Sequence, residues 1–122
     1  MKIEKNTYSP NVEFSENILE ISGNLWMEDP ACFFELIREE INKKSLKQFK
    51  IILSLNHINS SSMKQLFEFL KYIKNKNFKN LKINWNCPDD DIEMGELIKD
   101  IGNILELNIN VFMVSEKKLF NK

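Results

Sequence analysis

The chain has 122 residues and a nearly balanced charge, and these two properties bound its class. This length fits one domain with one core, so we expect residues 1–122 to fold as a single unit. The formal net charge is −1, whereas proteins that bind nucleic acid generally carry a basic surplus. The composition therefore argues against a nucleic-acid partner.

The cysteines and the apolar segments indicate the compartment. Cys32 and Cys87 fit neither a metal-binding nor a C-x-x-C spacing, so we expect free thiols in a reducing compartment. No apolar run reaches the ~18 residues of a membrane span, and the first residues lack the apolar core of a signal peptide. We expect a cytoplasmic protein that needs no membrane, metal or cofactor.

The chain opens with a predicted β-hairpin. Residues 12–14 and 18–21 are short apolar segments, and the polar spacer Ser15-Glu16-Asn17 joins them. Gly23-Asn24 is expected to end the second strand.

Three helices follow, each predicted from capping residues and from apolar residues at helical spacing. The first begins at Asp29-Pro30 and covers residues 30–44, and the second covers residues 61–75. The third begins at the acidic run after Pro88 and reaches Leu105, since acidic residues favour a helix amino terminus. The expected buried stripes are Phe33, Leu36, Ile37 and Ile41; Met63, Leu66, Phe67, Leu70 and Ile73; and Met94, Leu97, Ile98, Ile101 and Leu105.

Three further strands alternate with these helices, at residues 49–55, 81–86 and 109–114. The order is therefore β-β-α-β-α-β-α-β, in which strand–helix–strand units imply parallel neighbours and right-handed crossovers. The strand 81–86 is apolar on one face and Lys/Asn on the other, which predicts helices mainly on one face of the sheet. The fold class is a two-layer α/β domain with a mixed sheet.

Motifs of common enzyme classes are missing from the sequence. It contains no glycine-rich phosphate loop and no G-x-S-x-G motif. Its single histidine, His57, lies three residues before Ser60, but at the end of a strand these two side chains need not meet as a base and a nucleophile. The run Asp89-Asp90-Asp91 fits a helix amino terminus better than a cation site, because no second acidic cluster completes a site.

The most informative segment is Asn59-Ser60-Ser61-Ser62-Met63-Lys64, which joins a strand to a helix. Functional groups of α/β sheets tend to converge at this edge, at the carboxyl ends of the strands. One serine suffices to cap the helix, so two hydroxyls remain for another role. A phosphoryl group here would meet free N–H donors and the positive end of the helix dipole. The alternatives are that all three serines only cap and turn the chain, or that the helix start binds a nucleotide or another small anion.

The same segment resembles a known motif. Residues 58–64 are similar to the L-N-T-S-S-x-K motif of the SiaC-type regulatory phosphoprotein family, with serine at the position that is often threonine. The family's W…DD…M-x-E pattern is matched at the same spacing by Trp85, Asp90-Asp91, Met94 and Glu96. With the amino-terminal hairpin from Tyr8-Ser9-Pro10 onward, the resemblance covers about residues 7–115.

The resemblance implies both a fold and a role. It implies a fold similar to anti-sigma-factor-antagonist (STAS) domains, and a bacterial partner-switching protein rather than an enzyme. A kinase would phosphorylate the hydroxyl after the motif asparagine, which here is Ser60, and a phosphatase would reverse the reaction. The unmodified form would bind and activate a diguanylate cyclase. Asn59, Ser61, Ser62 and Lys64 would form the partner-binding frame of Ser60.

Overall fold

A six-stranded mixed sheet runs through the described part of the chain, which is residues 1–6 and 8–115 of this computed structural model. The strands are β1 (Lys2–Ile3), β2 (Asn11–Ser15), β3 (Ile18–Leu25), β4 (Gln48–Ile58), β5 (Asn80–Pro88) and β6 (Ile109–Val114). The helices are α1 (Pro30–Lys43), α2 (Ser60–Asn75) and α3 (Ile92–Leu105). The predicted order of elements is confirmed, with β1 as an addition.

The strand order explains why the helices share one face. Strands lie side by side in chain order from β1 to β6; β1–β2 and β2–β3 are antiparallel, and the remaining pairs are parallel. Each helix connects a strand to its next neighbour in the same direction, so right-handed crossovers place α1, α2 and α3 on the same side. The fold is therefore the predicted two-layer α/β arrangement.

The core lies between the sheet and the helices. Trp85 of β5 is in register with Leu53 of β4, and both are fully buried. The rings of Phe34 in α1 and Phe69 in α2 pack with centroids 5.3 Å apart above this layer. On the opposite face of the sheet, polar side chains bond across strands, as Asn86 Nδ2 does to Ser54 Oγ at 3.0 Å.

The second strand of the hairpin is longer than predicted. It does not end at Gly23 but continues to Leu25, with a shift of register against β4 between these two residues. Gly23 has φ +113°, a conformation open to glycine and strained for other residues. This irregularity carries the chain to Trp26 and Met27, beside the end of β4.

The buried faces of all three helices differ in part from the predicted stripes. Leu36 of α1 and Leu97 of α3 are exposed, whereas Phe34 and Phe69 are completely buried. The prediction of a buried Leu36 and a buried Leu97 is wrong, because packing against the sheet selects which part of a broad apolar surface faces inward.

The two cysteines occupy different environments. Cys32 is exposed on α1, Cys87 is buried at the end of β5, and both are free thiols. In residues 1–6 and 8–115, no helix has the length and apolar character that a bilayer crossing requires.

Candidate functional site

Ser60 is the first residue of α2 and follows directly on β4, at the edge where the parallel strands end. Its side chain is exposed. Within residues 1–6 and 8–115, no hydrogen bond engages its hydroxyl. The oxygen is therefore accessible to a modifying enzyme.

The amino terminus of α2 is capped by Asn59 and not by a serine. Asn59 has an extended backbone, and its Oδ1 accepts a hydrogen bond from the Ser62 N–H at 3.0 Å. The Ser61 hydroxyl lies 3.5 Å from the same oxygen. Because the cap uses only the Ser62 N–H, the N–H groups of Ser60 and Ser61 stay available to an anion at the helix start.

The Ser62 side chain lies in the protein interior, beneath the start of α2. It is fully buried, and its Oγ accepts a hydrogen bond from the Met27 N–H at 3.4 Å. A side chain in this position cannot reach a partner on the surface. Its role is to join α2 to the segment after β3, which differs from the partner contact expected from the sequence.

Asn59 makes the same connection from the other side of Met27. Its Nδ2 donates to the Met27 carbonyl oxygen at 3.3 Å, and its backbone N–H donates to the Leu25 carbonyl at 3.1 Å. Both backbone groups of Met27 are thus bonded to the start of α2. A substitution at Asn59 or Ser62 therefore alters the hydrogen bonds of the segment after β3.

Lys64 lies one helical turn after Ser60, on the same face of α2. Its side chain is exposed and forms no ion pair among the described residues. A cation at this spacing can reach a negative group on residue 60, which fits the predicted frame.

A surface depression of about 710 Å³ adjoins the start of α2. Its walls include Ser61 and Asn59, together with the rings of Tyr8 and Trp26, which are 62% and 51% exposed. Trp26 was not predicted as a site residue. Only its position after a strand, as a large ring beyond the last inward-facing leucine, could have suggested it.

His57 belongs to a different part of the surface. It lines a separate, smaller depression with Asp90 and Asp91, and no hydrogen bond joins it to Ser60. Asp91 caps α3, its Oδ1 accepting from the Met94 N–H at 3.0 Å. In the described ranges, no group of acidic, histidine or cysteine side chains could hold a metal ion.

Trp85 of the motif and the nearby Cys87 are both buried. Trp85 lies in the core, and within residues 1–6 and 8–115 its Nε1 has no hydrogen-bond partner. The Cys87 thiol donates a hydrogen bond to the Asp91 carbonyl oxygen, with the sulfur and oxygen 3.7 Å apart. Burial chiefly raises the pKa of the Cys87 thiol, and the nearby carboxylates of Asp91 and Asp90 raise it further. This thiol therefore stays protonated and is poorly suited to nucleophilic chemistry.

The sequence profile of the SiaC family regulatory phosphoproteins matches residues 3–114. The chain belongs to this family. The resemblance seen in the serine-rich motif is thereby confirmed across nearly the whole sequence. A sequence search of curated proteins found no relative.

Solved SiaC structures have the same fold. SiaC of Pseudomonas aeruginosa, in its complex with the diguanylate cyclase SiaD, superposes with a TM-score of 0.82 at 13% identity, covering 93% of this chain and 99% of that one. The apo form of that protein gives a TM-score of 0.74 at 12% identity, covering 92% of this chain and 97% of that chain. At such identities the likeness shows that this SiaC family member shares the mixed α/β fold.

Proposed function

We propose that this SiaC family member is a partner-switching adaptor whose phosphoacceptor is Ser60. The observation that carries the proposal is the unequal placement of the three serines. Ser62 is buried and bonded to Met27, and Ser61 leans toward the capping oxygen of Asn59. Of these three serines, Ser60 alone is exposed with a hydroxyl that makes no hydrogen bond to the described part of the chain.

A phosphate at this position would be held by local groups. It adds about −1.5 to −2 charges at neutral pH. The N–H groups at the start of α2 and the positive end of the helix dipole favour that charge, and Lys64 can pair with it. The modified helix start thus stays folded while its surface changes from a neutral hydroxyl to a dianion, which is what a partner switch requires.

The proposed partners are proteins. A kinase would modify Ser60, a phosphatase would restore it, and the unmodified form would bind an output enzyme such as a diguanylate cyclase in the cytoplasm. The complex of P. aeruginosa SiaC, described as an activator, with the cyclase SiaD supports the last of these partners. The chain itself would carry no catalytic activity.

Peptide mapping tests the modified position. The protein is purified from its native host with phosphatase inhibitors and mapped by mass spectrometry. We expect phosphate on Ser60 in the wild type and none in Ser60→Ala, whereas Ser61→Ala should keep it. Phosphate on Ser61 in the wild type, with Ser60 unmodified, would contradict the proposed acceptor.

A second experiment tests the switch. Ser60→Ala and Ser60→Asp are used to capture partners from host extract, with Ser61→Ala and Ser61→Asp as matched controls on the adjacent exposed serine. We expect a cyclase to be retained by Ser60→Ala and lost with Ser60→Asp, while the Ser61 pair differs little. Equal retention of the same kinase, phosphatase and cyclase by both Ser60 variants would overturn the adaptor function.

A further inference from the structure

Two aromatic side chains stand exposed beside the switch segment. Tyr8 and Trp26 line the depression next to Ser61, and each presents about half or more of its surface to solvent. Rings of this size are usually covered in a folded monomer, and Trp and Tyr are common anchors of protein interfaces. Their joint exposure marks this depression as a place where another group binds.

The side chains that line the depression carry negative charge. Glu28 and Asp29 also line it, and among the described residues on its walls there is no lysine or arginine. Glu28 forms no ion pair within residues 1–6 and 8–115. Aromatic faces attract cations, and carboxylates add charge complementarity.

Hydrogen bonds hold the backbone that carries these walls, and the carboxylate of Asp29, in place. The Trp26 N–H donates to the Tyr8 carbonyl at 2.9 Å, and Asn6 Oδ1 accepts from the Tyr8 and Ser9 N–H groups, each at 2.9 Å. Asp29 is fixed as the cap of α1 through its bond to the Cys32 N–H. A preorganised wall lowers the entropic penalty of binding.

We infer that this aromatic–acid pocket, formed by Tyr8, Trp26, Glu28, Asp29 and Ser61, binds an arginine or lysine side chain of a protein partner. The inference rests on the proposed function only in assigning the cation to a protein that docks at this edge. The pocket's own affinity for a cation depends on no modification of Ser60.

Phosphorylation of Ser60 should not prevent a cation from binding to the aromatic–acid pocket. A phosphate on Ser60 would add negative charge beside a pocket that is already acidic, so it would not repel a cationic side chain. A partner released by phosphorylation must therefore be released through its contact with Ser60 itself. Binding of a cation to the pocket should persist in the phosphorylated protein.

The test is an NMR titration of the ¹⁵N-labelled protein with N-acetyl-arginine amide, and in parallel with N-acetyl-citrulline amide as its neutral isostere. The indole N–H of Trp26 reports the pocket, and that of buried Trp85 reports the intact core. We expect saturable shifts of Trp26 with the arginine compound, weaker or none with the citrulline compound, and an unmoved Trp85.

Matched variants assign the binding. Glu28→Gln and Trp26→Leu should each weaken the binding of the arginine compound by roughly three- to fivefold. In Trp26→Leu the binding is followed through the backbone N–H of Asp29, which also lines the pocket. Glu96→Gln and Phe112→Ala, at exposed sites elsewhere, should not change the affinity. Ser60→Asp should bind the arginine compound at least as tightly as the wild type. Equal affinity for both compounds, or unchanged affinity in Glu28→Gln, would overturn the pocket while leaving the Ser60 switch intact.

Discussion

The side-chain amide of Asn59 donates a hydrogen bond to the carbonyl oxygen of Met27 over 3.3 Å and so joins the start of α2 to the segment after β3. The oxygen of the same amide caps the helix by accepting a hydrogen bond from the Ser62 N–H. Only an amide supplies a donor and an acceptor in this arrangement. Asn59 therefore has two separable roles.

Substitution of Asn59 separates the two roles. Asn59→Asp keeps a good capping oxygen but removes the donor to Met27, whereas Asn59→Ala removes both bonds. We expect Asn59→Ala to lower the free energy of unfolding by about 1–2 kcal/mol and Asn59→Asp to lower it by about half as much. Urea denaturation measures both values. Equal losses in Asn59→Ala and Asn59→Asp would contradict a separate capping role of the Asn59 oxygen.

The three serines should differ in their effect on stability. Ser62→Ala leaves the Met27 N–H without its acceptor in a partly buried place, so we expect a loss of about 1 kcal/mol. Ser62→Asp buries a carboxylate without a partner charge and should lose several times more. Ser60→Ala and Ser61→Ala remove exposed hydroxyls and should stay within about 0.5 kcal/mol of the wild type. A Ser62→Ala protein as stable as Ser61→Ala would contradict the role of Ser62.

Local patterns were sufficient to predict most of the fold. Residues 49, 51, 53 and 55 are apolar at alternate positions, and the capping residues before Pro30 and after Pro88 mark helix starts that the structure has. The predictions that failed concern features that depend on contacts between residues far apart in the chain. The strand β1 is two residues long and exists only because it pairs with β2, and Phe34 replaces Leu36 in the core because the sheet selects the buried face.

The site was predictable to the same degree. The position of Ser60 at a strand–helix junction follows from the sequence, because the hydroxyl run lies between two clear periodic segments. The buried state of Ser62 does not, since its partner Met27 is 35 residues away in the chain. Trp26 was missed for a similar reason: its place beside Ser61 depends on the register shift that follows Gly23.

Alkaline pH should destabilise the protein through Cys87. Burial raises the pKa of this thiol in the folded state, so folding favours its protonated form. The resulting stability is complete below the ordinary thiol pKa of 9.0 and is lost as the pH rises through it toward the raised value. Unfolding free energies of the wild type should therefore fall as the pH rises above 9.0, and Cys87→Ala should show a shallower fall.

Two further variants complete the test of this pH dependence: Tyr72→Phe removes a second contribution, and Cys32→Ala is the control. The pKa of the Tyr72 phenol is also raised above its ordinary value of 10.0, chiefly by burial, so Tyr72→Phe should remove the part of the decline that occurs at higher pH. Cys32→Ala removes the exposed thiol and leaves Cys87 and Tyr72 in place, so its slope should match the wild type. Identical slopes in the wild type and Cys87→Ala would contradict the effect of burial on Cys87.

The end of α3 offers a change that should stabilise the protein. Glu106 ends this helix in the left-handed conformation, with φ 55° and ψ 41°, which is unfavourable for a residue with a Cβ. Glu106→Gly should raise the free energy of unfolding by about 0.5–1 kcal/mol, because glycine adopts this conformation without strain. The bonds made here by the backbone, including that from Lys74 Nζ to the Glu106 carbonyl, do not need the glutamate side chain.

Asn77 provides the matched comparison for Glu106. It also has a positive φ, of 57°, but asparagine tolerates the left-handed region better than glutamate does. Asn77→Gly should therefore gain less stability than Glu106→Gly, and parallel thermal and urea denaturation would rank the two. A larger gain at Asn77 would mean that the left-handed conformation is not what limits stability at the end of α3.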